Sequence, residues 1–332
     1  MAKTVNQAFE EFMRDFVNLD PDVSNAAKVS RQNLLDNIDE FDNDDDFFDL
    51  HKDFNINFGS FARKTKCREL DDIDLMVGIA ANGATYNSSD PWDNIRIYAS
   101  QTNKGQKQCA REDGTLNSTK VSNKFQKKLE LVREYSRSEI RRNGEAIRLN
   151  LKSKEWAFDI VPCFYTTPET DDRPYYLIPN GRGNWKKTAP DVDRKYVTKI
   201  NQDKDGRVLE LVRLCKKWNK VNNANPLPSY LLETMIVNFA NHQESLDKNL
   251  GIRFRDALKY VVDFIRYSVF DMKNIQGNIN TLEWSIKCNI RRQALTDYNK
   301  VLKALQYEQS GNHEKAIKVW SSIFESDFPT YG

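Results

Sequence analysis

The sequence predicts an α+β fold, in which two helices are followed by a mixed sheet and then by a helical C-terminal part. Four short runs show the apolar pattern of strands, and they lie at residues 53–58, 72–79, 146–151 and 156–164. After about residue 203 the apolar residues recur at helical spacing instead. Because 332 residues are enough for two hydrophobic cores, we expect a core domain at 1–200 and a helical domain at 201–332.

Two helices are predicted before the first strand. Residues 5–18 carry apolar side chains at helical spacing. A second helix is expected to be capped by Ser24 or Asn25, since both side chains can accept a hydrogen bond from a free backbone N–H group. The acidic run at 42–46 is expected to be a solvated turn.

The first strand, 53–58, ends in the pair Gly59 and Ser60 and leads into a short polar helix or loop. Backbone N–H groups at the start of a helix can bind a phosphate, and glycine lets the backbone approach closely. The Ser60 hydroxyl can also donate to a phosphate oxygen. A Gly-Ser pair is common in ordinary turns as well, so this feature alone does not identify a phosphate site.

Three aspartates lie inside apolar strand-like runs. Asp72 and Asp74 are two residues apart in one strand, so their side chains point to the same face, and Asp159 lies in the last predicted strand. Like charges about 4 Å apart repel by roughly 4 kcal/mol at an effective dielectric constant near 20. Buried carboxylates therefore require a counter-cation, and Mg²⁺ favours carboxylates together with substrate phosphates.

This pattern predicts a metal site that handles nucleoside triphosphates. For such a site, the three carboxylates must meet at one place, and none of them should be held by a permanent arginine partner. The alternatives are a polar edge strand for Asp72 and Asp74 and a structural salt bridge for Asp159.

A loop-rich insert is expected at 82–108, a long basic helix at 120–142 and a further loop at 168–193. The basic residues of the helix could line a nucleic-acid groove, but few aromatic side chains accompany them, so a solvated face is favoured. These residues are Lys120, Lys124, Lys127, Lys128, Arg133, Arg137, Arg141 and Arg142.

The helical part is predicted from apolar spacing alone. The expected helices lie near 206–221, 229–243, 254–269, 281–308 and 312–325. The last two are interpreted as a terminal helical hairpin that packs on the rest of the chain, because a single copy of such a unit cannot form a solenoid.

Composition excludes several classes of protein. Lys and Arg number 50 against 48 Asp and Glu, so bulk charge does not indicate a polyanion-binding protein. No apolar run approaches the roughly 20 residues of a membrane span, and the first dozen residues lack an apolar signal region, so we expect a cytoplasmic protein without a membrane partner. Five scattered cysteines and three distant histidines argue against a disulfide framework, structural zinc and a histidine-based triad.

Taken together, Gly59-Ser60, Asp72-Ile-Asp74 and Asp159-Ile-Val-Pro162 resemble the DNA polymerase β-type nucleotidyltransferase superfamily. The segments FDIVPCF, YYLIPNGRGNWKKTAP, LVRLCKKWNK and LPSYLLE are similar to one branch of it, the CD-NTases. These are relatives of cyclic GMP-AMP synthase and oligoadenylate synthase in bacterial anti-phage signalling. The resemblance extends from about Leu34 to the C-terminus. It implies a polymerase β-like core with a mixed sheet, joined to a C-terminal helical domain in a bilobal protein.

In the sheet region, the resemblance implies a role for each residue that matches the family motif. The matching carboxylates are the catalytic metal ligands, and the Gly-Ser pair is the triphosphate-binding turn. The implied ligands are Asp72, Asp74 and Asp159, and the implied turn residues are Gly59 and Ser60.

Three residues of the helical region also match nucleotide-binding positions of the family. Lys216 matches a basic residue that reaches the triphosphate, Ser229 matches a phosphate contact, and Tyr230 matches a residue that stacks on a base. A solvated helix charge and a helix N-cap are the alternative interpretations of Lys216 and Ser229. Lys64 stands where many relatives have glycine, so we expect the backbone there to avoid a glycine-only conformation.

The resemblance implies a template-independent nucleotidyltransferase that uses Mg²⁺ or Mn²⁺ and joins ATP, or ATP with other nucleoside triphosphates, into a cyclic di- or trinucleotide. The product would act on a downstream effector, and a ubiquitin-transfer-like enzyme could join Gly332 to other proteins. Two alternatives stay open. One is a nucleotidyltransferase that tails RNA or modifies a small molecule, and the other is a non-catalytic nucleotide- or RNA-binding module on the same fold.

Overall fold

The structure, a computed structural model, describes residues 1–222 and 226–332. Its residue contacts divide the chain into two compact units, each built from more than one stretch of the sequence. The helical unit comprises Met1–Pro21, Arg63–Glu69 and Arg194–Gly332, and the sheet unit comprises Asp22–Ala62 and Leu70–Asp193. The expected domains at 1–200 and 201–332 stay a prediction.

The described residues form eleven α-helices and nine strands. The helices are α1 Val5–Phe12, α2 Pro21–Ile38, α3 Gly59–Ala62, α4 Lys104–Cys109, α5 Ser118–Glu130, α6 Pro190–Asp203, α7 Arg207–Asn222, α8 Ser229–Asn241, α9 Leu250–Phe264, α10 Trp284–Gln309 and α11 His313–Phe324. The strands are β1 Ile56–Phe58, β2 Asp72–Gly78, β3 Thr85–Tyr86, β4 Ile97–Tyr98, β5 Glu139–Asn143, β6 Ala146–Asn150, β7 Ala157–Tyr165, β8 Tyr176–Pro179 and β9 Trp185–Thr188.

The predicted α+β class with a mixed sheet is confirmed. The main sheet has the strand order β1-β2-β7-β6-β5, and β8 and β9 extend it from the far end of β7. Strands β2 and β7 run parallel, whereas their other neighbours run antiparallel. The long strand β7 pairs with β6 through its first residues and with β8 through Phe164 and Tyr165.

The two N-terminal helices are present with shifted bounds. Helix α1 is continued by a π-helical turn at Met13–Val17. Helix α2 begins at Pro21 rather than at Ser24 or Asn25, so the expected caps are wrong. The fixed backbone angle of proline suits the first turn of a helix, where its missing N–H group would have no partner in any case.

The basic helix is shorter than predicted. Helix α5 ends at Glu130, and Val132 is already extended, with ψ of 122°. The chain then forms the hairpin β5–β6 around Gly144, which has a positive φ of 58°. Because Arg141 and Arg142 therefore lie on a strand, the eight basic residues do not share one helix face.

The loop expected at 168–193 contains the hairpin β8–β9, and this part of the prediction is wrong. Strand β8 is fully buried, and Pro179 pairs with Trp185 at the end of the hairpin. Two glycines with positive φ, Gly181 and Gly183, form the turn. Because each strand has only four residues and the turn between them is rich in glycine, the sequence of this segment has the pattern of a loop.

The terminal hairpin of the helical unit is confirmed. Trp320 of α11 is fully buried, and its ring packs edge-on against Phe9 of α1 with centroids 4.8 Å apart. Ala304 of α10 and Ala316 of α11 are also fully buried. No helix in the described ranges combines the length and the apolar character that crossing a membrane requires.

Candidate active site

The pairing of β2 with β7 brings the three aspartates of the sheet unit together. Asp74 lies directly opposite Asp159 in the parallel register, so the two side chains project from the same face. Asp72 is two residues earlier on β2 and shares that face, while Ile73 between them is buried on the other side. The residues after Asp74 are buried, as expected for an interior strand.

The Gly-Ser turn lies against Asp74. Strand β1 ends at Phe58, which is paired with Asp74, and α3 starts at the next residue, Gly59. Gly59 has a positive φ of 72°, and a Cβ atom added there would lie 2.6 Å from the Asp74 Cγ. Glycine is favoured at this position, because any side chain would need an unfavourable positive φ and would displace the Asp74 carboxylate. Ser60 is thereby placed in the first turn of α3.

Asp159 has an arginine partner. Arg148 of β6 lies directly opposite Asp159, and its Nη1 donates to the Asp159 Oδ2 over 3.0 Å. The expectation that none of the three aspartates is held by an arginine is therefore wrong. The antiparallel β6–β7 register sets the two side chains side by side on one face, where opposite charges attract.

The three carboxylates offer the oxygen donors that Mg²⁺ and Mn²⁺ prefer. In the described part of the chain, no three His, Cys, Asp or Glu side chains stand in an arrangement that would hold a metal ion. The Arg148 and Asp159 side chains are 24% and 16% exposed, and partly exposed ion pairs contribute only about 0–1 kcal/mol. For these three carboxylates to hold a divalent cation, Asp159 would have to turn from Arg148 towards it.

Lys216 of the helical unit lies in a buried polar cluster. Its Nζ donates to the Glu233 Oε2 over 2.6 Å and lies 3.4 Å from the Thr65 Oγ1. Arg63 donates to the same carboxylate from Nε over 2.6 Å. Because the Lys216 side chain is only 9% exposed, its interpretation as a solvated helix charge is wrong.

Glu233 is ionised in this cluster. Burial by itself raises the pKa of the Glu233 carboxyl, but the charges and hydrogen bonds of Lys216 and Arg63 outweigh that effect and hold the pKa at about 2. The carboxylate also accepts a hydrogen bond from the Thr65 hydroxyl over 2.9 Å.

Ser229 and Tyr230 begin α8. Ser229 is its first helical residue and is exposed, and Pro228 occupies the cap position, so the N-cap interpretation of Ser229 is wrong. The Tyr230 hydroxyl donates to the Asp271 Oδ1 over 2.8 Å and accepts from the Lys273 Nζ over 2.8 Å. The Lys273 Nζ also lies 4.3 Å from the centre of the tyrosine ring.

The backbone at Lys64 is left-handed, with a φ of 60°. This region is uncommon for lysine but is not restricted to glycine, so it does not contradict the expectation that a glycine-only conformation is avoided. The Lys64 carbonyl accepts a hydrogen bond from the Arg213 Nη1 over 2.7 Å, which holds the turn in place. A non-glycine residue can adopt this region at a cost of about 1–2 kcal/mol.

Sequence reasoning did not identify the charged partners of the site residues. In the sequence, Arg148 looks like any other outward-facing residue of β6. Only the register of β6 with β7 shows that Asp159 is its partner. Glu233 carried a usable signal, because it is a single carboxylate in the apolar run Leu231–Val237, as Asp159 is in β7. A lone charge in such a run needs a buried partner, and Lys216 and Arg63 are the partners here.

Comparison with known proteins gives relatives across the whole chain. A probable cyclic nucleotide synthase of Bacillus cereus (strain VD146) is 36% identical over 333 residues, which cover 100% of this chain and 99% of that protein. The cyclic GMP-AMP synthase CdnE03 of Staphylococcus schleiferi is 23% identical over 265 residues, or 74% of this chain and 76% of that protein. No protein-family model matches the chain.

A solved structure shares the fold. CdnC of Escherichia coli MS115-1, determined with ATP, superposes with a TM-score of 0.71 over 97% of this chain and 98% of that chain, at 16% sequence identity. The same protein has also been determined in a complex with HORMA-deltaN.

Proposed function

The chain belongs to the CD-NTase family of nucleotidyltransferases, and we propose that it joins nucleoside triphosphates into a cyclic di- or trinucleotide second messenger in anti-phage defence. The observation that carries the proposal is the register of β2 and β7, which sets Asp74 opposite Asp159, with Asp72 on the same face. The close approach of Gly59 to Asp74 supports the assignment of a phosphate-binding turn at the same place.

In the sheet unit, Asp72, Asp74 and Asp159 would hold Mg²⁺ or Mn²⁺. A bound divalent metal supplies charge neutralisation and orients the attacking and leaving oxygens of the displacement. Gly59 lets the backbone at the start of α3 approach the triphosphate, and the Ser60 hydroxyl donates to a phosphate oxygen. A 2′- or 3′-hydroxyl oxygen forms the new bond to the α-phosphorus as the bond to pyrophosphate breaks, and one proton is released.

In the helical unit, Lys216 would contact the triphosphate, Ser229 would contact a phosphate, and Tyr230 would stack on a base. The exposed Ser229 hydroxyl at the first position of α8 supports the second role. The anchoring of the Tyr230 hydroxyl by Asp271 and Lys273 supports the third, because it fixes the orientation of the ring. A base that stacks on Tyr230 would contact the same aromatic ring as the Lys273 ammonium group.

Product analysis tests the proposal. The purified protein is incubated with the four ribonucleoside triphosphates and Mg²⁺ or Mn²⁺, treated with phosphatase and analysed by mass spectrometry. We expect pyrophosphate and a phosphatase-resistant cyclic product, and no turnover by a folded Asp74→Asn variant. Asp45→Asn, at an exposed position of the acidic run, is the matched control and should keep full activity.

Other results would identify the alternatives. Linear products, or nucleotides attached to RNA or to a small molecule, would indicate another template-independent nucleotidyltransferase. Nucleotide binding without metal-dependent turnover would indicate a non-catalytic module. Pyrophosphate release by Asp74→Asn at the wild-type rate would contradict the assignment of the carboxylates.

Conjugation of Gly332 by a ubiquitin-transfer-like enzyme is part of the same proposal. The Gly332 amide donates to the Ala2 carbonyl over 3.3 Å, and the Ala2 amide donates to the Thr330 carbonyl over 3.0 Å. The last residues would have to leave this pairing to enter an enzyme. Mass spectrometry that finds only free C-termini in cells carrying the surrounding operon would contradict it.

A further inference from the structure

The Tyr230 hydroxyl in the helical unit belongs to a triangle of hydrogen bonds with Asp271 and Lys273. It donates to the Asp271 Oδ1 over 2.8 Å, and the Lys273 Nζ donates to both of these oxygens, again over 2.8 Å. The side chains of Asp271 and Lys273 are only 0% and 5% exposed. Because the hydroxyl lies at the far end of the tyrosine side chain, these bonds restrict the position of the whole ring.

Asp271 is itself held by the loop between α9 and α10. The loop is closed by the Asp271 amide, which donates to the Gly277 carbonyl over 2.9 Å. The Asp271 Oδ2 accepts from the backbone N–H groups of Ile275 and Gln276, over 3.2 Å each. One carboxylate oxygen therefore fixes the loop while the other fixes Tyr230. A side-chain amide could not replace this group, because it offers one acceptor oxygen instead of two.

We propose that Asp271 is a positioning residue for the nucleotide base, because it fixes the Tyr230 ring at the angle at which a base stacks. This inference rests on the proposed function, in which a base stacks on Tyr230. Stacking depends on the approach of two planes, and a ring that is already held loses less freedom when the base binds. Further contacts of Tyr230 or Lys273 would restrain the same side chains, so the role of Asp271 does not depend on their absence.

A purely structural role of Asp271 is the competing explanation. A buried carboxylate that holds a loop contributes to stability whatever the function of the loop. In that case, loss of the carboxylate lowers stability by the same amount whether or not Tyr230 carries a hydroxyl. The positioning role predicts instead a loss of nucleotide affinity that requires the tyrosine hydroxyl.

The first test measures binding of α,β-methylene-ATP with Mg²⁺ by isothermal titration calorimetry. In Asp271→Asn the two backbone N–H groups of the loop take the single acceptor oxygen, and the NH₂ group that faces the Tyr230 hydroxyl cannot accept from it. We expect the affinity to fall by about threefold to fivefold. Asp263→Asn is the matched control and should leave binding unchanged, since Asp263 is 41% exposed and pairs with Lys259 on the surface of α9.

A double-mutant cycle then separates the two explanations. Tyr230→Phe keeps the ring but removes its bond to Asp271, so it should lose as much affinity as Asp271→Asn. Adding Asp271→Asn to Tyr230→Phe should change the affinity by no more than about twofold. Tyr230→Ala removes the stacking surface itself and should weaken binding by at least about tenfold.

Steady-state kinetics give a second readout. The base would stack on Tyr230 in the ground state as well as in the transition state, so weaker stacking should raise the KM for ATP. We expect a rise of about threefold to fivefold in Asp271→Asn, with kcat within about twofold of the wild type. Thermal unfolding of each variant defines the folded fraction. If Asp271→Asn does not fold, Tyr230→Phe tests the bond from the other side.

Two results would overturn the inference. One is a folded Asp271→Asn or Tyr230→Phe protein with wild-type affinity, and the other is an equal loss from Asp271→Asn with and without the tyrosine hydroxyl. The wild type and Tyr230→Ala are measured first, so the proposals can fail separately. A wild type that neither binds nor turns over nucleotides contradicts the proposed function, and a Tyr230→Ala variant with wild-type affinity contradicts the stacking role. A weakened Tyr230→Ala with an unaffected Asp271→Asn contradicts only the positioning role.

Discussion

Arg148 is the cationic partner of the Asp159 carboxylate in the structure. The two residues are directly opposite each other on β6 and β7, and the guanidinium also lies 3.4 Å from the Asp159 Oδ1. The arginine supplies the counter-charge that a carboxylate beside Asp74 needs. A divalent cation would carry two positive charges where the guanidinium carries one. A metal ion and Arg148 would therefore compete for the Asp159 carboxylate.

Replacing Arg148 should therefore strengthen metal binding. We expect Arg148→Met to bind Mn²⁺ about threefold to tenfold more tightly than the wild type, because the competing ion pair is lost and one positive charge is removed. Arg148→Lys should lie between the two. Electron paramagnetic resonance titration of free Mn²⁺ without nucleotide measures this affinity independently of turnover.

Arg141 provides the matched control for this prediction. It lies opposite Arg148 on β5, but it is 62% exposed and pairs with Glu139 instead. Arg141→Met should leave Mn²⁺ binding unchanged. An Arg148→Met variant whose affinity equals or falls below that of the wild type would show that Arg148 does not compete for Asp159.

The site residues differ in how far the sequence alone could find them. Asp72, Asp74 and Asp159 stand out because a charge in an apolar strand is visible from its neighbours in sequence. The same local test would have found Glu233. Arg148 could not be found in this way, because its partner lies across a strand pair whose register depends on the whole sheet.

At the scale of elements, long apolar patterns were predicted well and short strands were not. The five helices predicted after residue 203 agree with the observed spans to within about five residues, because three or more turns define a period. Helix α6, Pro190–Asp203, was not predicted. The four-residue strands β8 and β9 give too few alternations to be recognised between turn residues. The predicted basic helix was too long because it continued past Val132, where the backbone becomes extended.

The terminal hairpin should be essential to the helical unit. Trp320 is fully buried against Phe9 and Phe324, so Trp320→Ala should lower the free energy of unfolding by about 3–5 kcal/mol. Trp284→Ala is the control, since that side chain is 61% exposed at the start of α10 and should change stability by less than about 1 kcal/mol.

Urea unfolding followed by circular dichroism measures both variants, and hydrogen exchange locates the loss. Faster exchange should appear in α1 and α11 of Trp320→Ala, because their contact passes through this ring. Equal stability of the two variants would mean that the hairpin is not part of the core of the helical unit.

For the molecule as a whole, each unit has its own buried interior, and the helical unit contains a carboxylate whose ionisation is linked to folding. The folded pKa of Glu233 is about 2, against an ordinary value of 4.5. Above pH 4.5 the carboxyl is ionised in both the folded and the unfolded chain, so its full stabilisation is present. As the pH falls from 4.5 to 2, the unfolded chain takes up the proton first, and the stabilisation is lost.

We therefore expect acid to destabilise the wild type more than the double variant Arg63→Met/Glu233→Gln, in which both charges are absent. The difference of 2.5 between the two pKa values corresponds to roughly 3 kcal/mol as the pH approaches 2. Urea unfolding at pH 6, 4.5, 3.5 and 2.5 measures the free energy of both proteins at constant ionic strength. Asp271, whose pKa is also lowered, is present in both and does not contribute to the difference. Parallel pH profiles would mean that Glu233 takes up its proton equally in the folded and unfolded chains, and that its contacts with Arg63 and Lys216 do not stabilise the ionised form.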